Sequence, residues 1–98
     1  MRLKPGVRAR GVQPETVLAM TIASKIYEAS RAEFVVTSIT DGRHGANSLH
    51  ACGLAFDCRT RHLSDDQKGQ IHLQLKAALP GYDVVLESDH FHVEYHPK

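Results

Sequence analysis

The chain has 98 residues, with 12 lysines and arginines against 11 aspartates and glutamates, seven histidines and two cysteines. That length accommodates one domain near the small end of what folds alone, which a bound metal ion would help to stabilise. The near-balanced charge argues against a general nucleic-acid or membrane-surface binder, and no apolar run approaches the roughly 20 residues of a membrane span.

The N-terminus is the basic exception. Arg2, Lys4, Arg8 and Arg10 form a run within residues 1–12, read as a solvated, loosely ordered arm. Weak attraction to an anionic polymer such as a cell wall is the alternative. No signal peptide is visible, because the first apolar run comes after Pro14 and lacks a cleavage site, so the chain is expected to be made in a cytoplasm. Gln13-Pro14-Glu15 opens a helix, with proline in the first turn and an acid at the positive end of the dipole. Val17, Leu18, Ile22, Ile26 and Tyr27 then keep helical spacing, with Met20 and Ala23 beside them, over residues 14 to 29. Residues 34 to 38 are a short β-rich run. Residues 40 to 47 read as a loop, with two glycines, an aspartate and an asparagine. A strand follows over 54 to 58, with Leu54, Phe56 and Cys58 on one face and Ala55 and Asp57 on the other.

Ser64-Asp65-Asp66-Gln67 is a capping box that starts a second helix, which runs to about residue 79 and stops at Pro80-Gly81. Residues 82 to 87 and 90 to 95 look like strands joined tightly at Ser88-Asp89. In the last of them Phe91, Val93 and Tyr95 share one face and His90, His92 and Glu94 the other. This order predicts a single α+β domain over residues 1–98, a mainly antiparallel sheet with helices on one face and a polar set on the opposite face.

That polar face carries the chemistry. His50 and Asp57 are seven residues apart, and a His90-x-His92 pair lies near the C-terminus. His50, Asp57 and His92 are three ligands of the types that zinc takes, and three protein ligands leave a fourth position open, as catalytic zinc requires. Gly53 lets the chain turn back so that His50 and Asp57 converge, and Ala55 is small enough to leave room beside them. Cys52 and Cys58 flank the motif. Cys58 should point away from Asp57 as a small buried hydrophobe, and both cysteines are read as structural or incidental.

Ser48-Leu49-His50-Ala51-Cys52-Gly53-Leu54-Ala55-Phe56-Asp57 fills every fixed place of Ser-x-His-x-x-Gly-x-Ala-x-Asp. With the Asp89-His90-Phe91-His92-Val93-Glu94 segment, it resembles the LAS-type zinc peptidases. These comprise the D-Ala-D-Ala carboxypeptidases, the phage L-alanyl-D-glutamate endopeptidases and the hedgehog signalling domain. The resemblance spans residues 34 to 95. It implies a hedgehog-like fold and one zinc ion per chain, held by His50, Asp57 and His92. Asp89, three residues before His92, takes the place of the family's catalytic carboxylate. His90 fits members with a His-x-His close to the metal, and Glu87 fits the hedgehog-like pattern. Thr37-Ser38-Ile39-Thr40-Asp41-Gly42-Arg43 resembles the family's arginine-bearing segment with a longer insertion. Ser48 orients its neighbours or shapes the turn.

The resemblance implies a zinc metallopeptidase that cuts peptidoglycan stem peptides, at either D-Ala-D-Ala or L-Ala-D-Glu. A phage or prophage enzyme acting as a monomer is the expected setting, reaching the wall after lysis, by export or as part of a phage particle. In that mechanism Asp89 (or Glu87) takes the proton of the attacking water and passes it to the leaving amine. Arg43, or else His90, steadies the oxyanion, and Arg43 equally suits a substrate carboxylate. The alternative is a non-catalytic zinc-binding recognition module of the same fold.

Overall fold

A computed structural model describes residues 1 to 41 and 49 to 97. Its elements in chain order are β1 (Arg2–Leu3), α1 (Pro14–Ala29), β2 (Val35–Ser38), β3 (Ala55–Arg59), α2 (Asp65–Ala78), β4 (Tyr82–Leu86) and β5 (His90–Tyr95). They form the α+β domain expected from the sequence. The five strands make one sheet in the order β1-β2-β3-β5-β4, antiparallel except for the parallel pair β1–β2.

The basic N-terminal arm contributes to this sheet. Arg2 and Leu3 pair with Val35 and Val36, and the Lys4 amide donates to the Val36 carbonyl at 2.8 Å.

Both helices begin as their sequences dictate. Pro14 sits in the first turn of α1 with Glu15 beside it. The capping box of α2 is complete: Ser64 Oγ accepts from the Gln67 amide at 3.1 Å, and Gln67 Oε1 accepts from the Ser64 amide at 3.0 Å. The buried stripe of α1 differs from the one the apolar spacing suggested. Thr16, Ala19, Met20, Ala23 and Tyr27 face inward, while Val17 and Leu18 are 46% and 58% exposed. The small side chains of Ala19 and Ala23 let the helix lie close to the sheet. Thr16 is drawn in by a hydrogen bond from its hydroxyl to the Gly53 carbonyl at 2.7 Å.

Alternation then divides the sheet. Phe56 and Cys58 of β3, Phe91 and Val93 of β5 and Val84 of β4 pack in the core with Tyr27, Ile71 and Leu75 from the helices. Burying each large apolar side chain contributes about 1.5–3 kcal/mol. Cys58 is fully buried, as expected of a thiol turned away from Asp57. Burial pushes that thiol up to about 12, with the Tyr27 hydroxyl 3.5 Å from its sulfur. Cys52 is exposed. The opposite face presents Asp57 and Arg59 from β3 and His90, His92 and Glu94 from β5. No helix among the described residues is long and apolar enough to cross a membrane.

Candidate metal centre

Register places the first two candidate ligands. Asp57 of β3 lies directly across from His92 of β5, so both side chains rise from the same face as cross-strand neighbours. The third comes from the turn before β3. There the Gly53 amide donates to the His50 carbonyl at 3.0 Å and the Leu54 amide to the Leu49 carbonyl at 2.8 Å. Gly53 closes this turn at φ +75°, and a Cβ at that position would run into the carbonyl of Gly11. Its own carbonyl accepts from the Gln13 amide and the Thr16 hydroxyl, which fastens the turn to the start of α1.

Three donor atoms meet as a result. Asp57 Oδ1 is 2.9 Å from His92 Nδ1 and 3.2 Å from His50 Nε2, and the two imidazole nitrogens are 3.2 Å apart. Ligands about 2.0–2.1 Å from a tetrahedral zinc are roughly 3.3–3.4 Å from one another. The observed triangle is therefore close to what zinc requires, and His50, Asp57 and His92 form a group able to hold a metal ion.

The outer nitrogens of both imidazoles are engaged as ligand orientation demands. His50 Nδ1 donates to the Ile39 carbonyl at 2.8 Å, which aims Nε2 inward. His92 Nε2 donates to Glu94 Oε1 at 2.7 Å, which turns Nδ1 inward. The side chain of His50 is 5% exposed, Asp57 14% and His92 20%, so the inner atoms are screened while one side stays open.

The protonation of the cluster follows from its geometry. The hydrogen bond to Asp57 raises His92 to about 9 against the opposing effect of burial, with Glu94 adding to the rise. Burial alone would raise the Asp57 carboxyl, but hydrogen bonds from His50 and His92 outweigh it and hold it well below the usual carboxylate range. In the metal-free protein a proton on His92 Nδ1 therefore occupies the centre that a cation would take.

Asp89 and His90 stand next to this centre as a pair. His90 Nδ1 is 2.7 Å from Asp89 Oδ1, and His90 Nε2 faces Asp57 Oδ2 at 3.7 Å. The His90 bond holds the exposed Asp89 carboxyl below its ordinary range. Both residues, with Asp57, line a cleft of about 200 Å³ beside the metal ligands, whereas Glu87 is not among its lining residues. Arg43 and Ser48 lie outside the described residues.

Sequence reasoning missed the supporting groups. Glu94 was assigned to the same face as His92 without a role, though its place two residues along a strand was the available signal. The Ile39 carbonyl had no sequence signal at all. A second group, Asp83, Glu94 and His96, also brings ligand-type atoms together. It shares Glu94 with the first group and includes the exposed His96. Compared with protein-family profiles, curated protein sequences and solved structures, the chain gives no match.

Proposed function

We propose that the protein is a zinc-dependent peptidase that hydrolyses an amide bond in peptidoglycan stem peptides. The observation that supports this most directly is the convergence of His50 Nε2, Asp57 Oδ1 and His92 Nδ1 at 2.9–3.2 Å, with both outer imidazole nitrogens engaged. The ten-residue motif and the C-terminal His-x-His point to the same three residues and to the same class of substrate.

His50, Asp57 and His92 would hold the zinc, which when bound would supply Lewis acidity toward the scissile carbonyl and a water molecule. The chain's own groups must then move the proton. Asp89, held below the ordinary carboxylate range by His90, is by itself a weak acceptor at neutral pH. His90 presents Nε2 toward the metal side and leans on Asp89 through Nδ1, the arrangement in which a carboxylate orients an imidazole. His90 thus takes the water's proton and returns it to the leaving nitrogen, while Asp89 positions it. Water adds to the carbonyl carbon, the C–N bond breaks, and a carboxylate and an amine leave.

The test is to incubate zinc-loaded protein with purified peptidoglycan and identify the released fragments by mass spectrometry. Free D-alanine indicates a carboxypeptidase, and new N-terminal D-glutamate an endopeptidase. Intact stem peptides at full zinc occupancy would overturn the peptidase reading and leave a zinc-binding recognition module.

A further inference from the structure

The cleft beside the metal ligands is walled by cations. Asp57 and His90 form its side toward the metal, and Lys4, Arg59 and Arg61 stand around the rest, with the Thr37 and Ser38 residues of β2 between them. Arg59 is two residues beyond Asp57 on β3 and opposite His90 in the register, so it shares the open face. Arg61 follows just past the strand end. Lys4 is delivered by the N-terminal arm, whose pairing with β2 brings it to the same rim.

The negative groups in the cleft are already engaged. Asp57 faces His50 and His92, and Asp89 is bonded to His90. Among the described residues, no carboxylate stands within ion-pair distance of Lys4, Arg59 or Arg61. Three cations therefore converge on a space that opens next to the centre where an amide would be cut. Arg61 also acts on the Asp89 carboxylate, while Arg59 and Lys4 have no carboxylate paired with them among the described residues.

We propose that this cleft binds the free carboxylate of the substrate residue that keeps the scissile nitrogen, with Arg59 as the main contact and Arg61 and Lys4 at the rim. Both candidate bonds make the same demand. In a C-terminal D-alanine and in a γ-linked D-glutamate, the carbon bearing the scissile nitrogen also bears a free carboxylate. A guanidinium meets such a group through two parallel hydrogen bonds. An α-amide at that position carries no charge and brings N–H donors up to cationic donors, so the cleft discriminates against it. The position of the scissile bond rests on the peptidase reading; carboxylate binding does not.

The test is a binding measurement on the whole protein, labelled with nitrogen-15 and followed through its arginine Nε–H resonances. The probes are N-acetyl-D-alanine and N-acetyl-D-glutamine, each with a free α-carboxylate, and their uncharged α-amides N-acetyl-D-alaninamide and N-acetyl-D-glutaminamide. At least one acid should bind about tenfold or more tightly than its amide, since a lost charged hydrogen bond is worth roughly that or more, and should shift the Arg59 resonance. Which acid binds more tightly distinguishes terminal alanine from γ-linked glutamate as the source of the carboxylate. Arg59→Gln should erase the preference while zinc stoichiometry and thermal midpoint stay unchanged. The preference should also survive removal of zinc, because the binding groups belong to the chain.

Equal binding of acids and amides, no binding of either, or a preference that persists in an Arg59→Gln/Arg61→Gln double variant would overturn the inference. A preference that vanishes with the zinc would do so too, by placing the carboxylate on the metal. Any of these results beside cleaved peptidoglycan leaves the peptidase reading intact. A preserved preference without cleavage leaves the carboxylate site and removes the peptidase.

Discussion

The inner nitrogens of His50 and His92 are aimed by the Ile39 carbonyl and by Glu94, and this decides how each substitution should read. His50→Ala, Asp57→Ala and His92→Ala each remove a donor from a triangle of 2.9–3.2 Å, and each should abolish stoichiometric zinc binding measured by metal analysis after dialysis. His96→Ala should leave one zinc per chain. Glu94→Gln keeps the ligand but weakens the bond that orients it, and should lower zinc affinity about 10- to 100-fold without lowering the stoichiometry at saturation. Full occupancy in the His92 variant would show that the other histidine of the pair is the ligand. The pair proposed to handle protons should give a different signature. His90→Ala should retain zinc and lose about 10²–10⁴ in kcat, with KM nearly unchanged. Asp89→Asn acts through His90, so the double variant should cost no more than His90→Ala alone, because residues that act as a unit are not additive. Glu87→Gln should cost little. Additive losses at Asp89 and His90 would mean that the two act independently.

At the scale of elements, the turn before β3 joins fold to site. Gly53→Ala forces a side chain into a left-handed residue, a cost of about 1–3 kcal/mol by itself, and drives a methyl group at the Gly11 carbonyl. It should lower the thermal midpoint and, by displacing His50, zinc affinity as well; a variant as stable and as tight for zinc as the parent would show that the turn does not position the ligand. The strands and helices around this turn were legible because each carries a local cause. Pro14, the Ser64–Gln67 box and the alternation of residues 90 to 95 act over a few neighbouring residues, and their boundaries emerge within a residue or two. What escaped depends on partners remote in sequence. β1 is two residues long and exists through its pairing with β2, so no periodicity announces it. The inward face of α1 carries Ala19, Met20, Ala23 and Tyr27, with Thr16 bonded to Gly53, 37 residues away, and these partners leave Val17 and Leu18 on the exposed side. The three ligands were legible as residue types, but the cationic wall was not. Arg59 and Arg61 matter through their nearness to Lys4 and His90, which only the sheet order supplies.

For the whole molecule, a metal ion at the proposed centre would compete with the His92 proton, so the stability of the metal-free protein and the increment that zinc adds should change with pH in opposite directions. In the metal-free protein His92 is raised from 6.5 to about 9, so its charged pairing contributes stability that is fully present below about pH 6.5 and lost as pH rises through about 9. Asp57 is lowered, so its contribution is present above its ordinary value of 3.8 and lost as pH falls below that. The metal-free protein should therefore be most stable in mildly acidic solution and lose stability toward pH 9. Zinc needs His92 Nδ1 deprotonated, so its affinity should rise over the same interval. At a free zinc concentration 100 times Kd, binding stabilises the native state by about 2.7 kcal/mol, a rise of roughly 10–20 °C in a domain of 60–100 residues. Calorimetric scans at fixed free zinc should show this increment growing from pH 6 to pH 8.5, disappearing with a chelator, and absent in His92→Ala at every pH. An increment that shrinks as pH rises would mean that zinc enters without displacing the His92 proton, and the ion would then be bound elsewhere on the molecule.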